Sequence, residues 1–139
     1  MFRTIVLALD GSDGSRRAIP IATELAKRDK ARVVLVHVAE RVPQPGTTSP
    51  PGEGEMLAEL EKQAQELSEE RIDTEVKSAS IGFGGPAVPI AEIANQEDAD
   101  LIVVGTRGHG AVAGVLVGSV TQRLLHIAHR PVLAVPPVG

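Results

Sequence analysis

The chain has 139 residues, 42% of them hydrophobic and 23% charged, with a net charge of −4 and no cysteine. That length suits one domain with a substantial core, and the lack of cysteine excludes disulfides and thiol chemistry. The only aromatic residues are Phe2 and Phe83, so the core has to be built from Val, Leu, Ile and Ala, and the scarcity of stackable rings and the acidic balance argue against a nucleic-acid binder.

Residues 3–9 form an apolar run that predicts a buried strand ending at Asp10. The run is too short for a signal peptide or a membrane span, so a soluble cytoplasmic protein with no membrane partner is expected. Asp10 to Ser15 reads as a turn with Ser12 as a candidate N-cap. A helix should follow to about Arg28, with Ala18, Ile21, Ala22 and Leu25 on one face. Pro20 inside it removes a hydrogen bond at a cost of about 3 kcal/mol; the apolar spacing continues past it, so a kink is expected and not a break.

Residues 32–39 predict a second buried strand. Between Arg41 and Gly54, four prolines and three glycines predict a flexible loop without regular structure. Residues 55–71 predict an amphipathic helix with Leu57, Leu60, Ala64 and Leu67 on one face. Seven glutamates from Glu53 to Glu70 give it a solvated acidic side. Residues 74–80 alternate Val76 with polar neighbours and predict an edge strand. After a glycine-rich loop, Pro86 suits the first position of a helix that runs to about Gln96 with Ala87, Ile90, Ala91 and Ala94 inward. A fourth strand is expected at 100–105, a last helix from about Gly118 to His129 with Val120, Leu124 and Ile127 on its buried side, and a fifth strand at 131–135. Strands alternating with helices imply right-handed crossovers and a parallel sheet. The expected fold is α/β: one open, doubly wound, Rossmann-like parallel sheet of five strands, order 3-2-1-4-5, with about four helices in a single domain over residues 1–139.

The stretch from Asp100 to Ser119 carries the functional signal. A buried strand runs into Gly105, Gly108, Gly110, Gly114 and Gly118, and a helix then starts. Glycines let backbone N–H groups approach a ligand, and a helix N-terminus adds free donors and a positive dipole end, which together suit a phosphate. All 18 acidic residues lie at or before Asp100; the first hundred residues carry −7 and the remainder, with Arg107, Arg123 and Arg130, carries +3. The P-loop pattern is absent, since no lysine follows Lys77. Gly108-His109-Gly110-Ala111-Val112-Ala113 fits G-x-G-x-x-[GA], but no acidic residue follows to hold a ribose, which argues against a dinucleotide site.

The spacing Gly105-x2-Gly108-x9-Gly118-Ser119 matches G-x2-G-x9-G-[ST]. With Ile5 to Ser12 at the start, Asp100 to Gly108, Gly118 to Thr121 and Pro131 to Val135, it resembles the ATP-binding branch of the universal stress protein family over essentially the whole chain. The resemblance implies an adenine-nucleotide site formed by Ala8, Leu9, Asp10, Val38, Val104, Gly105, Arg107, Gly108, Gly118, Ser119, Val120 and Thr121. On position alone Asp10 is as well read as a turn cap as a partner of ribose or adenine; the resemblance favours the second. Val38 would otherwise be an anonymous core residue. Ser119 can cap the helix and hold a phosphate in turn, and Thr121 matches a phosphate-contacting hydroxyl. Arg107 and His109 can each reach a phosphate or point to solvent, the latter preferred for His109. His37 reads as a packed core or rim residue. His126 and His129 have the i, i+3 spacing of a metal pair but lack a third ligand, and read as surface residues.

The expectation is an ATP-binding, stress-response regulatory protein that carries Mg2+ or Mn2+ with the phosphates, in the absence of a dedicated metal cage. A slow ATPase or phosphotransferase is the alternative; it lacks a visible carboxylate to act as base in the loop. AMP or a cyclic nucleotide is an alternative ligand, and a pure interaction protein would lack the glycine signature. A bare apolar C-terminal strand at a sheet edge predicts a homodimer paired through residues 131–135, as the resemblance also implies.

Overall fold

Thr4 to Leu9 contains no polar side chain after Thr4, and an unbroken apolar run fits a strand covered on both faces. In the computed structural model, which describes residues 1–9, 13–39, 53–80, 85–105 and 119–136, this strand, β1 (Thr4–Leu9), is buried along its whole length. The remaining elements follow in strict alternation: α1 (Asp13–Asp29), β2 (Arg32–Ala39), α2 (Glu53–Glu69), β3 (Thr74–Ser80), α3 (Ala87–Gln96), β4 (Leu101–Gly105), α4 (Ser119–Ile127) and β5 (Val132–Val135). All pairings are parallel, and the strand order is β3-β2-β1-β4-β5, as expected from the sequence.

Successive side chains of a strand point to opposite faces, and the two cores follow that parity. Ile5, Leu7 and Leu9 pack with Val33, Leu35, Leu101 and Val103 under Ala18, Ala22 and Ala26 of α1 and Leu60 and Leu67 of α2. Val6 and Ala8 pack with Val34, Val36, Ile102 and Val104 under Ala87, Ile90, Ala91 and Ala94 of α3 and Leu124 of α4. Right-handed crossovers produce this division, because the chain moves outward from β1 to β3 and then returns past β1 to β4 and β5.

The first three helices end in the same way. Lys30, Arg71 and Asp98 adopt the left-handed conformation, at φ 56°, 65° and 52°. The next N–H in each case reaches back five residues: Ala31 to the Ala26 carbonyl (2.9 Å), Ile72 to Leu67 (3.0 Å) and Ala99 to Ala94 (2.9 Å). This is a Schellman cap, and the apolar residue that makes the bond is buried each time, which turns the chain into the following strand.

Two carboxylates tie down the foot of β1. Asp29 Oδ2 accepts from the Phe2 N–H at 2.9 Å, and Asp100 Oδ2 accepts from the N–H groups of Arg3 (2.8 Å) and Thr4 (3.0 Å). The Asp100 N–H in turn donates to the Thr4 carbonyl at 2.8 Å. Asp100, placed by its sequence in the fourth strand, is therefore a clip between the feet of β1 and β4. The sheet's two edges differ. On β3, Glu75 pairs with Arg32 at 3.2 Å, Lys77 with Glu97, and Glu97 with Arg32 at 2.9 Å. On β5, Val132, Leu133 and Ala134 are half-buried and only Val135 is fully covered.

Several boundaries and faces differ from the sequence expectation. Glu53 and Gly54, assigned to the irregular loop, lie in α2; residues 41–52 and Ser12 are outside the described residues. Pro86 is the N-cap of α3 and not its first residue, and α4 stops at Ile127, two residues before His129. Helix α1 runs through Pro20 without a break. Ile21, expected on its inner face, is 36% exposed. It lies one turn beyond Arg17, whose Nη1 donates to the Pro136 carbonyl just past β5, so this flank of α1 overhangs the edge of the sheet.

Candidate functional site

Among the described residues, the ladder between β1 and β4 stops short of the ends of both strands. β1 pairs with β2 through Leu9↔His37, but with β4 only from Ile5↔Leu101 to Leu7↔Val103. Both strands continue two residues further, to Leu9 and Gly105. Ala8, Leu9, Val104 and Gly105 therefore line a notch at the carboxyl rim, between the two strands where the chain reverses its direction across the sheet. Open α/β sheets bind ligands at such a point. The side chains of Ala8, Leu9 and Val104 are buried beneath it, and Gly105 is half-exposed.

The first turn of α4 comes to the same rim. Thr121, 2% exposed, donates its Oγ1 proton to the Gly105 carbonyl at 2.8 Å. Ser119 begins the helix and Val120 is half-buried against the α3/α4 core. On the other side of β1, Val38 stands one residue past the last β1–β2 pair and pairs with Ala79 of β3. The structure thus brings Ala8, Leu9, Val38, Val104, Gly105, Ser119, Val120 and Thr121 to one end of the sheet. Asp10, Arg107, Gly108, His109 and Gly118 lie outside the described residues.

Sequence reasoning missed one demand at this rim. His37 is 7% exposed, on the α1/α2 side, and among the described residues its buried Nδ1 has no hydrogen-bond partner. A histidine inside an apolar strand was the available signal, but a sequence cannot say whether its ring nitrogens are satisfied. His126 and His129 are exposed, as expected, and among the described residues no group of three or more acidic or histidine side chains is placed to hold a metal ion. No helix among them is long and apolar enough to cross a membrane.

The universal stress protein family model matches residues 1–136. The chain belongs to this family. A universal stress protein of Thermus aquaticus is 40% identical over 137 residues, which cover 97% of this chain and 99% of that one. A universal stress protein solved in complex with cAMP has a TM-score of 0.72 at 28% identity, covering 99% of this chain and 98% of its own. Another, from Archaeoglobus fulgidus in complex with dAMP, has a TM-score of 0.71 at 25% identity, covering 97% and 98%. Two universal stress proteins of this fold thus carry an adenine nucleotide.

Proposed function

We propose that this universal stress protein binds an adenine nucleotide, ATP foremost, across the notch between β1 and β4, and acts as a regulatory binder in stress response. The observation that carries the reading is the β1–β4 ladder ending two residues short of both strands where the first turn of α4 arrives. In this reading Gly105, Gly108, Gly118 and Ser119 cradle the phosphates through backbone N–H groups and the helix dipole. Asp10 and the backbone at Val38 take the ribose and adenine, alongside Ala8 and Leu9. Val104, Val120 and Thr121 complete the site, and Arg107 is placed by sequence to neutralise phosphate charge. Mg2+ or Mn2+ would enter with the phosphates, held by them and not by a protein cage.

Turnover is expected to be slow or absent, because the glycine-rich stretch supplies no carboxylate to position water. A monophosphate or cyclic ligand is the second reading, favoured by the relatives solved with cAMP and dAMP. The functional unit is a homodimer paired through β5, supported by the half-buried apolar side chains of that edge and by exposed Ile21 beside it. Calorimetry with ATP, AMP and cAMP on the wild type and on Gly118→Val tests the site. Tightest binding of ATP, lost in a folded Gly118→Val, is the expected result; equal ATP affinity in the two folded proteins removes this site from consideration.

A further inference from the structure

Apart from Met1, the exposed large hydrophobic residues among those described are Ile21 and Leu125, at 36% and 59%. They lie on opposite faces of the sheet, on α1 and α4, and both lean toward the same edge. Side chains advance about 100° per residue along a helix. Ile21 precedes Ala22, which packs in the α1/α2 core, and Leu125 follows Leu124, which packs in the α3/α4 core. Both helices run antiparallel to the strands. With the carboxyl rim upward, right-handed crossovers put β5 to the left of α1 seen from the α1 face, and to the right of α4 seen from the α4 face. The residue just before the inward one on α1, and the residue just after it on α4, therefore each point toward β5. On the α1 side an observed bond agrees: Arg17, one turn before Ile21, donates to the Pro136 carbonyl past β5.

The strand between these two overhangs is apolar on both faces. Leu133 and Val135 belong to the α1/α2 side, and Val132 and Ala134 to the α3/α4 side. β5 pairs with β4 and ends the sheet, so its outer backbone is open to one more strand. A strand that enters between Ile21 and Leu125 has to be apolar on both faces. β3, the other edge, fails: Glu75 and Lys77 share the face of their partners Val34 and Val36, and the slot would bury their charge. The β5 of a second copy fits, and a two-fold axis normal to the sheet brings like faces together.

We propose that Ile21 and Leu125 are contact residues between two copies of this chain: they roof the partner's β5 from opposite faces, Ile21 over its Leu133 and Leu125 over its Val132 and Ala134. The proposal rests on the homodimer reading above and deepens it, since it adds a helix contact on each face to the strand pairing and makes the edge select a second β5 over β3.

The test follows dimer dissociation by light scattering coupled to size exclusion, across a dilution series, for wild type, Ile21→Gln and Leu125→Gln. Each variant should raise the dissociation constant roughly tenfold or more, the scale of losing one buried aliphatic side chain from each copy. Both side chains are exposed in the single copy, so urea midpoints of the diluted, monomeric proteins should stay near that of wild type. A second readout uses the absence of cysteine. In Ile21→Cys and in Leu125→Cys the single thiol should react with a maleimide more slowly as protein concentration rises and dimer forms. Glu66→Cys, at an exposed position on α2 toward the opposite edge of the sheet, should react at one rate throughout. A wild-type dimer that both glutamine variants leave intact, or thiols at 21 and 125 that react at one rate in monomer and dimer, overturns these contacts and leaves β5 pairing standing. A fall in the monomer's urea midpoint that accounts for the lost dimer makes the two residues part of the fold and overturns them as contacts too. A wild type that stays monomeric overturns the β5 reading itself, and this proposal with it.

Discussion

Asp100 joins the feet of the two strands that part at the rim, and its removal has a calculable cost. Its carboxylate accepts the Arg3 and Thr4 N–H groups at 2.8 and 3.0 Å. Bonds to a charged group contribute about 1.5–3 kcal/mol each, so two give about 3 kcal/mol at the low end, and partial exposure, which lets water replace the acceptor, lowers the pair to about 2 kcal/mol. We expect Asp100→Ala to cost about 2 kcal/mol in urea denaturation. With an unfolding entropy of about 2.1 cal/mol/K per residue, a chain of this length should lose roughly 7 °C in Tm. Asp100→Asn keeps a neutral acceptor and should lose about half as much, since charge-assisted bonds are roughly twice as strong as neutral ones. The two backbone donors, Arg3 first, hold the Asp100 carboxyl below its ordinary 3.8. A lowered folded-state value means that its contribution is complete above that ordinary value and is lost as pH falls below it. The gap between wild type and Asp100→Asn should therefore close as pH drops from about 5 towards 2. Asp100→Ala within about 0.5 kcal/mol of wild type, the scatter of ordinary surface changes, would refute the reasoning. So would a wild-type advantage over Asp100→Asn that persists in acid.

Lys30 and Arg71 occupy left-handed positions that suit glycine. Relief of about 1–2 kcal/mol of backbone strain, offset by about 0.4–1 kcal/mol of added unfolded-state entropy, should leave Lys30→Gly and Arg71→Gly each more stable by about 0.5–1 kcal/mol in chemical denaturation. The alanine variants, which keep a Cβ, should show no such gain. His37→Leu removes a buried nitrogen that has no partner among the described residues and should be neutral or stabilising by about 1 kcal/mol; a loss above 2 kcal/mol would mean that the ring is satisfied or packed beyond what a leucine can replace. Leu133→Lys together with Val135→Lys should convert the proposed dimer to a monomer in light scattering coupled to size exclusion, and a wild-type monomer would refute β5 pairing.

The fold was readable because each element carried its own period. The apolar runs at 3–9 and 32–39 and the helical spacing at 87–94 are local, and their partners followed from crossover handedness. What escaped notice depends on tertiary geometry. Ile21 fits the apolar stripe of α1 by spacing, but the sheet ends at β5 beneath that flank and leaves it 36% exposed. Helix α2 begins earlier than its glycine suggested, at Glu53, and acidic residues there suit the positive end of a helix. The caps at Lys30, Arg71 and Asp98 lack the glycine that marks such a stop. At the candidate site, Gly108 and Gly118 of the glycine spacing lie outside the described residues, and the notch between Ala8–Leu9 and Val104–Gly105 depends on strand register, which no local pattern encodes. The bond from Thr121 to Gly105 spans sixteen residues, and no periodicity encodes it.

The unequal edges of the sheet set a limit on growth. β3 carries Glu75 and Lys77, both held by ion pairs, and a further strand laid against it would have to accommodate charge on an outermost strand. β5 offers an apolar row without a lysine. A molecule with one cohesive edge has a valence of one: pairing two such edges about a two-fold axis consumes both. The dimer proposed above would then stop at two copies, and its continuous sheet of ten strands would present only charged strands at its outer ends.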